Sequence, residues 1–122
     1  MTYKVFTYGT LMKNKVNHHY VENSVYKGEA ILDGYGLYDT GYGYPAAVKM
    51  DGFQVVGEIY DVDEETKARM DILEDVDEMY ACDQVKVHTD HGDEVVLFYR
   101  YLLSIDGMRL CSNGVKWSED QL

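Results

Sequence analysis

The stretch Phe53-Gln-Val-Val-Gly-Glu-Ile-Tyr-Asp-Val62, running straight into Asp63-Glu-Glu-Thr-Lys-Ala-Arg-Met-Asp-Ile-Leu-Glu74, changes its hydrophobic period halfway along. Residues 53–62 alternate apolar with polar and are rich in β-branched and aromatic side chains, the pattern of a strand with one buried face. Asp63 then supplies a side-chain oxygen suited to a helix N-cap, and Glu64 and Glu65 put negative charge where the helix dipole favours it. The spacing predicts a helix from there to about Glu74. At 100° per residue Thr66, Met70 and Leu73 share its apolar face, and Glu74 falls on the edge of that face beside Met70.

Working outward from this strand–helix junction, most of the remaining chain reads as strand. Residues 3–8 are aromatic and β-branched and stop abruptly at Gly9. Residues 25–38 have strand character broken by Gly28, Gly34 and Gly36, which mark bulges or close backbone approach. Residues 41–48 form a turn and the start of another strand, with Pro45 holding Tyr44 extended. Strands near 84–88 and 94–103 flank Asp90-His91-Gly92-Asp93, a hairpin-like connection, and Ile105-Asp106-Gly107-Met108 repeats the turn theme. Residues 15–23 fit a short surface helix or an irregular segment. The expected architecture is α+β: a small, mostly antiparallel β-barrel or curved sheet with one main packed helix. No repeat, linker or low-complexity segment divides residues 1–122, so a single domain is expected.

Composition narrows the function. A formal charge of −11 disfavours nucleic acid and anionic membranes as partners, because both need clustered Lys and Arg. No signal-type start and no apolar run of membrane-spanning length is present, so a cytoplasmic protein is expected. Cys82 and Cys111 match no zinc spacing and read as free, packed thiols. His18 and His19 point apart on a helix or a strand, and the acidic run 61–78 lacks the glycine and spacing of a calcium loop. No metal site is expected.

Three constellations carry chemistry. The turn Tyr8-Gly9-Thr10-Leu11 can aim successive N–H groups at one anion, a small carboxylate for example, if Gly9 frees the backbone to adopt unusual dihedrals; a plain strand-ending turn would look the same. Glu74 sits at a helix C-terminus with Asp75, Asp77 and Glu78 nearby, and burial, dipole and like charge would each raise its pKa toward what a proton shuttle needs; a solvated acidic helix end is the simpler alternative. The glycine–tyrosine cluster 41–45, with Tyr60, Tyr80, Tyr99 and Tyr101, offers pocket-lining phenols, although most such tyrosines serve as plain core or half-buried strand residues; Tyr44 and Tyr80, which belong to the motifs of the resemblance described next, are the substrate-binding candidates.

Taken together, Val5-Phe6-Thr7-Tyr8-Gly9-Thr10-Leu11, Tyr44-Pro45-Ala46, Gly57-Glu58-Ile59-Tyr60, Leu73-Glu74 and Tyr80 occur in an order that resembles the γ-glutamyl cyclotransferase-like superfamily, and more closely its short γ-glutamylamine cyclotransferase branch. The tail, Asp106-Gly107 through Ser112, Gly114 and Trp117, resembles the ending of short bacterial members. The resemblance implies conversion of a γ-glutamyl amine or γ-glutamyl amino acid to 5-oxoproline and free amine, without metal or organic cofactor. It places the substrate α-carboxylate at residues 8–11 and makes Glu74 the acid/base. Asp75 and Cys82 depart from the pattern, which often has glycine after the glutamate and arginine two residues after the tyrosine. A module of the same fold that binds a carboxylate without turnover, and a different γ-glutamyl transfer or hydrolysis, are the competing readings. The leaving amine, the pathway and the oligomeric state are left open by the sequence.

Overall fold

In β1 (Thr2–Thr7) the adjacent residues Val5 and Phe6 are both fully buried, in two different apolar clusters. Period-2 alternation makes this the mark of a strand covered on both faces. Phe6 packs with Leu32, Leu37, Val55, Ile59 and Phe98. Val5 packs on the opposite side with Tyr60, Val62, Met70, Tyr80 and Tyr99. A computed structural model describes residues 2–111. Ser112, Gly114 and Trp117 of the tail resemblance lie outside them.

The other elements are β2 (Val25–Asp39), β3 (Pro45–Asp63), α1 (Glu64–Leu73), β4 (Tyr80–Thr89), β5 (Gly92–Tyr101) and β6 (Arg109–Leu110). β1 runs antiparallel to β3, from Thr2↔Asp63 to Thr7↔Glu58, and meets β5 in parallel at Val5↔Leu97. β5 and β4 form a hairpin closed by Asp90-His91 between Thr89 and Gly92. β4 reaches β2 at Ile31↔His88, and β2 pairs back onto β3. The order β3-β1-β5-β4-β2 therefore returns on itself, with β6 at the edge of β2. This is the expected α+β, curved and mostly antiparallel sheet with one packed helix; the β1–β5 contact is its parallel exception.

Two local expectations change. Residues 45–48 and 53–62 belong to one long strand rather than two, because β3 stays paired with β2 through a bulge. The register slips between Asp33 and Tyr35, where Gly34 and, opposite, Gly52 take positive φ of 81° and 84°. Residues 15–23 form turns with a single 3₁₀ stretch, His18–Tyr20.

Helix α1 starts as the sequence predicts: Asp63 accepts from the Thr66 backbone N–H at 2.7 Å. Its end is a Schellman motif, with Val76 N–H donating to Asp71 O (3.0 Å) and Asp75 N–H to Ile72 O (3.1 Å). Asp75 takes φ 51°, the left-handed geometry that favours glycine and that Asp tolerates better than most residues. The departure from the family's glycine thus keeps the backbone path that glycine would allow. Among the described residues no helix is long and apolar enough to cross a membrane, and both cysteines are free.

Where β4 meets β2, His88 is held by two carboxylates: Nδ1 contacts Asp93 Oδ1 at 2.6 Å and Nε2 contacts Asp33 Oδ2 at 2.8 Å. The Asp93 and Asp33 contacts raise its pKa, since both ring nitrogens must donate to satisfy both partners. A raised folded pKa contributes stability that is fully present below the unfolded value near 6.5 and is lost as pH rises through the folded value. His88→Ala should therefore lower the melting temperature at pH 5.5 and change it little at pH 9; an equal loss at both would show that the contact is not ionic. Asp75→Val should destabilise the protein by about 1–2 kcal/mol in denaturant titration, while Asp75→Gly stays within about 1 kcal/mol of the parent.

Candidate active site

The loop after β1 is positioned by a close crossing. A Cβ on Gly57 of β3 would lie 2.2 Å from Thr7 O and 2.7 Å from Phe6 Cζ, so glycine there lets β3 press against the end of β1. Beyond it the carbonyls of the loop are tied to the segment that follows. Met12 N–H donates to Gly9 O (3.1 Å), Asn17 N–H to Thr10 O (2.8 Å) and Asn17 Nδ2 to Thr10 Oγ1 (2.9 Å). His18 Nδ1 lies 3.0 Å from Leu11 O. Gly9, Thr10 and Leu11 are buried, yet among the described residues their own N–H groups donate to nothing. Buried amides without acceptors are the exception in folded proteins and favour an incoming acceptor.

Gly9 is required for a reason other than the one the sequence suggests. It does not adopt a positive φ. A Cβ there would come within 2.8 Å of Pro45 Cγ and 2.9 Å of Cδ, so its role is to let the loop touch the start of β3. Pro45 is fixed in turn by Tyr80, whose hydroxyl donates to Pro45 O at 2.6 Å. Tyr8 donates to Tyr99 O, and Tyr99 donates to Asp71 Oδ1 at 2.8 Å. Burial first, then the Glu74 charge, raises the Tyr8 pKa; burial, Tyr8 and Glu74 raise that of Tyr80. Burial, followed by Asp71, raises that of Tyr99. These phenols remain protonated donors.

Glu74 caps α1 and turns its carboxyl into this enclosure. Burial pushes its pKa from 4.5 up to about 7. The repulsion expected from Asp75, Asp77 and Glu78 is not the cause, because all three are exposed and their charges lie in water. Among the described residues no side chain forms a hydrogen bond or ion pair with the Glu74 carboxyl. A carboxyl half-ionised near neutral pH, desolvated and uncommitted, can accept a proton and return it.

Residues 6–11, Tyr44, Pro45, Glu74, Tyr80 and Tyr99 line one cleft, so Tyr8, Gly9, Thr10, Leu11, Tyr44, Glu74 and Tyr80 all face the same space. A second cleft adjoins it, sharing Thr10, Tyr44, Glu74 and Tyr80 and adding Asn17, Leu73 and Met79. Of these, the sequence marked Leu73 only as part of the helix's apolar face and of a family motif; it did not single out Asn17 or Met79, or which tyrosine of β5 lines the first cleft. Alternation puts Tyr99 and Tyr101 on one face of β5, but which face α1 covers depends on the tertiary structure. Cys82 shares the Tyr80 face of β4 and is half-buried. Burial raises its pKa, opposed by Lys67, with Asp71 and Asp83 adding to the rise; this suits a packed thiol and not a nucleophile. Among the described residues no three of the His, Cys, Asp and Glu side chains are grouped to hold a metal ion.

Known proteins resemble the chain in sequence and in fold. The family described as "Gamma-glutamyl cyclotransferase, AIG2-like" matches residues 5–119. A putative γ-glutamylcyclotransferase of Vibrio cholerae is 41% identical over 102 residues, covering 82% of this chain and 84% of its own. The γ-L-glutamyl-butirosin B γ-glutamyl cyclotransferase of Niallia circulans is 38% identical over 71 residues, 58% of this chain and 45% of its own. The solution structure of ytfP from Escherichia coli superposes with a TM-score of 0.71 at 32% identity, covering 96% of this chain and 98% of that one. A family match along nearly the whole described chain, joined to relatives of this identity and coverage, places the protein in the γ-glutamyl cyclotransferase, AIG2-like family.

Proposed function

We propose that the protein is a cyclotransferase that converts a γ-glutamyl amine or γ-glutamyl amino acid to 5-oxoproline and free amine, with Glu74 as its acid/base. The observation that carries the reading is the desolvated Glu74 carboxyl facing a loop with unengaged amides. In this scheme the N–H groups of Gly9, Thr10 and Leu11 hold the substrate α-carboxylate, and Tyr8, Tyr44 and Tyr80 wall the glutamyl chain. The α-amine, as the free base, attacks the γ-carbonyl carbon. A new C–N bond closes the five-membered ring, and Glu74 takes the proton that the attacking nitrogen sheds. The same carboxyl delivers that proton to the departing nitrogen as the γ-amide C–N bond breaks, so the enzyme ends as it began. Because nucleophile and electrophile share one molecule, holding the chain in a ring-closing pose supplies much of the rate, with effective molarities of roughly 10⁵ M or more in well-oriented cases. The scheme uses no metal or organic cofactor and acts on a small-molecule substrate in the cytoplasm, while a formal charge of −11 disfavours nucleic acid and anionic membranes as partners.

Glu74→Gln should keep the fold and lower 5-oxoproline release by about 10²–10⁴, the usual worth of a general base. Wild-type release by the mutant would refute the mechanism. In the parent, kcat/KM should rise with pH through about 7, where the carboxyl ionises. Stability should move the opposite way: a glutamate whose folded pKa is raised loses stability between pH 4.5 and about 7. Glu74→Gln lacks that loss and should be more stable than the parent above pH 7, by up to about 3 kcal/mol at 1.36 kcal/mol per pKa unit, a trade of stability against activity that thermal melts at pH 5 and pH 8 would reveal.

Gly9→Val should collide with Pro45 and, through its carbonyl, displace Tyr80. Overpacking of this kind costs about 1–3 kcal/mol, and calorimetry with 5-oxoproline should show affinity reduced at least tenfold. Unchanged affinity would remove the loop from the binding site.

A further inference from the structure

Each carbonyl of residues 9–11 has a donor of its own: Met12 N–H for Gly9 O (3.1 Å), Asn17 N–H for Thr10 O (2.8 Å) and His18 Nδ1 for Leu11 O (3.0 Å). In a planar trans peptide the N–H points opposite to the C=O, so the first two contacts turn the N–H groups of Thr10 and Leu11 the other way. Within this frame the Thr10 side chain is the exception. Thr7, Thr10 and Thr66 are the buried polar residues among those described. The Thr7 hydroxyl donates to Glu58 O at 3.1 Å, and the Thr66 side chain is hydrogen-bonded to Asp63. Thr10 receives without giving: its Oγ1 accepts from Asn17 Nδ2 at 2.9 Å, and among the described residues its hydroxyl proton is donated to nothing. Thr10 lines both clefts that Glu74 borders, and Asn17 lines the second.

From this pattern we propose that Asn17 is a positioning residue acting through the Thr10 hydroxyl, which it turns into a side-chain donor to the ligand's carboxylate beside the loop amides. The inference rests on the cyclotransferase reading for the identity of that ligand. A hydroxyl has one proton to give and two lone pairs to fill. The Asn17 amide nitrogen can only donate, so it takes a lone pair of Oγ1 and leaves the proton for another acceptor. Accepting a hydrogen bond also makes the hydroxyl a stronger donor. A buried donor without an acceptor favours an incoming one, and a carboxylate resting on the amides of residues 9–11 brings a charged oxygen to that neighbourhood, where the bond formed is roughly twice as strong as a neutral one. Asn17 holds the loop by two separable contacts. Its backbone N–H bonds to Thr10 O whatever the side chain, and its φ of −103° with no side-chain capping bond suits alanine equally well. Asn17→Ala therefore removes the contact to the hydroxyl and leaves the contact to the backbone.

A double-mutant cycle read by calorimetry with 5-oxoproline separates this role from a merely structural one. Thr10→Val keeps the shape of the side chain and removes the hydroxyl; it should lower affinity by roughly tenfold or more, the worth of a hydrogen bond to a charged group, and Thr10→Ser should recover most of that loss. Asn17→Ala should lower affinity about fivefold in the parent and less than about twofold in the Thr10→Val background, because the group it orients is then gone. A side chain that only braces the loop would cost the same in both backgrounds. Equal losses in the two backgrounds, or parent-like affinity of Thr10→Val, would overturn the assignment while leaving the cyclotransferase reading in place, which the parent's release of 5-oxoproline from a γ-glutamyl amine tests separately. Absence of 5-oxoproline binding by the parent would overturn the assignment, and absence of 5-oxoproline release as well would overturn the cyclotransferase reading with it.

Discussion

A carboxyl largely shielded from water is the constraint around which the site is arranged. Left to itself, the end of a short acidic helix would turn such a group outward. Here Met70, one turn before Glu74, is fully buried in the cluster beneath α1, and the Schellman hydrogen bonds from Asp75 and Val76 stop the helix one residue before Glu74. The anchored helix end, the loop 8–11 and the start of β3 then close around the group. Burial is the cause of its raised pKa, so the proton affinity of Glu74 is a consequence of packing: loosening the enclosure would bring its pKa back toward that of an ordinary glutamate.

The enclosure is held by tyrosines that reach backbone rather than each other. Tyr80 to Pro45 O and Tyr8 to Tyr99 O link β4 to β3 and the β1 loop to β5, so four elements are tied across the cleft by two hydroxyls. Each phenol thereby satisfies its polar end while its ring fills the apolar wall. A second line of support runs from Tyr99 through Asp71 to Lys67, which lies 2.6 Å from the Asp71 carboxylate. Asp71 and Glu74 are neighbours on one turn of α1 with opposite environments: the first is engaged by a cation and a hydroxyl, the second by neither.

The parts of this arrangement legible in the sequence are those set by local chemistry. Asp63 as N-cap, the Thr66, Met70 and Leu73 face, the turn at Asp90-His91 and the strand breaks at Gly28 and Gly34 all follow from residue type and spacing, and each has its counterpart in the structure. What local chemistry does not determine was missed. Whether residues 45–63 make one strand or two depends on whether β2 remains paired across the bulge, and the parallel meeting of β1 with β5 joins residues far apart in the chain. Gly9 shows the same limit within the site. Its residue type is right for a special backbone conformation, whereas the demand comes from a proline ring that contacts it from another strand. The clustering of the site residues was legible through the family resemblance; of the causes expected for the Glu74 shift, burial is the one found, whereas the like-charge contribution was misjudged because exposure of Asp75, Asp77 and Glu78 cannot be read from their spacing.

Cys82 ties these threads together. It stands on the same face of β4 as Tyr80, at a position where relatives by resemblance often carry arginine, and a cation there could have paired with an anionic group on a ligand. In this chain the nearby cation is Lys67, whose ammonium is committed to Asp71 and lies 5.5 Å from the centroid of the Tyr99 ring. That ammonium is therefore spent on holding α1 and β5 together, and its charge is already balanced. With a thiol in place of a guanidinium, this side of the site has no free positive group among the described residues, and it lies beside a helix end rich in exposed acids. Among the described residues the two sides of Glu74 consequently differ in kind: unengaged amides line one, and an apolar wall without a lysine or arginine lines the other.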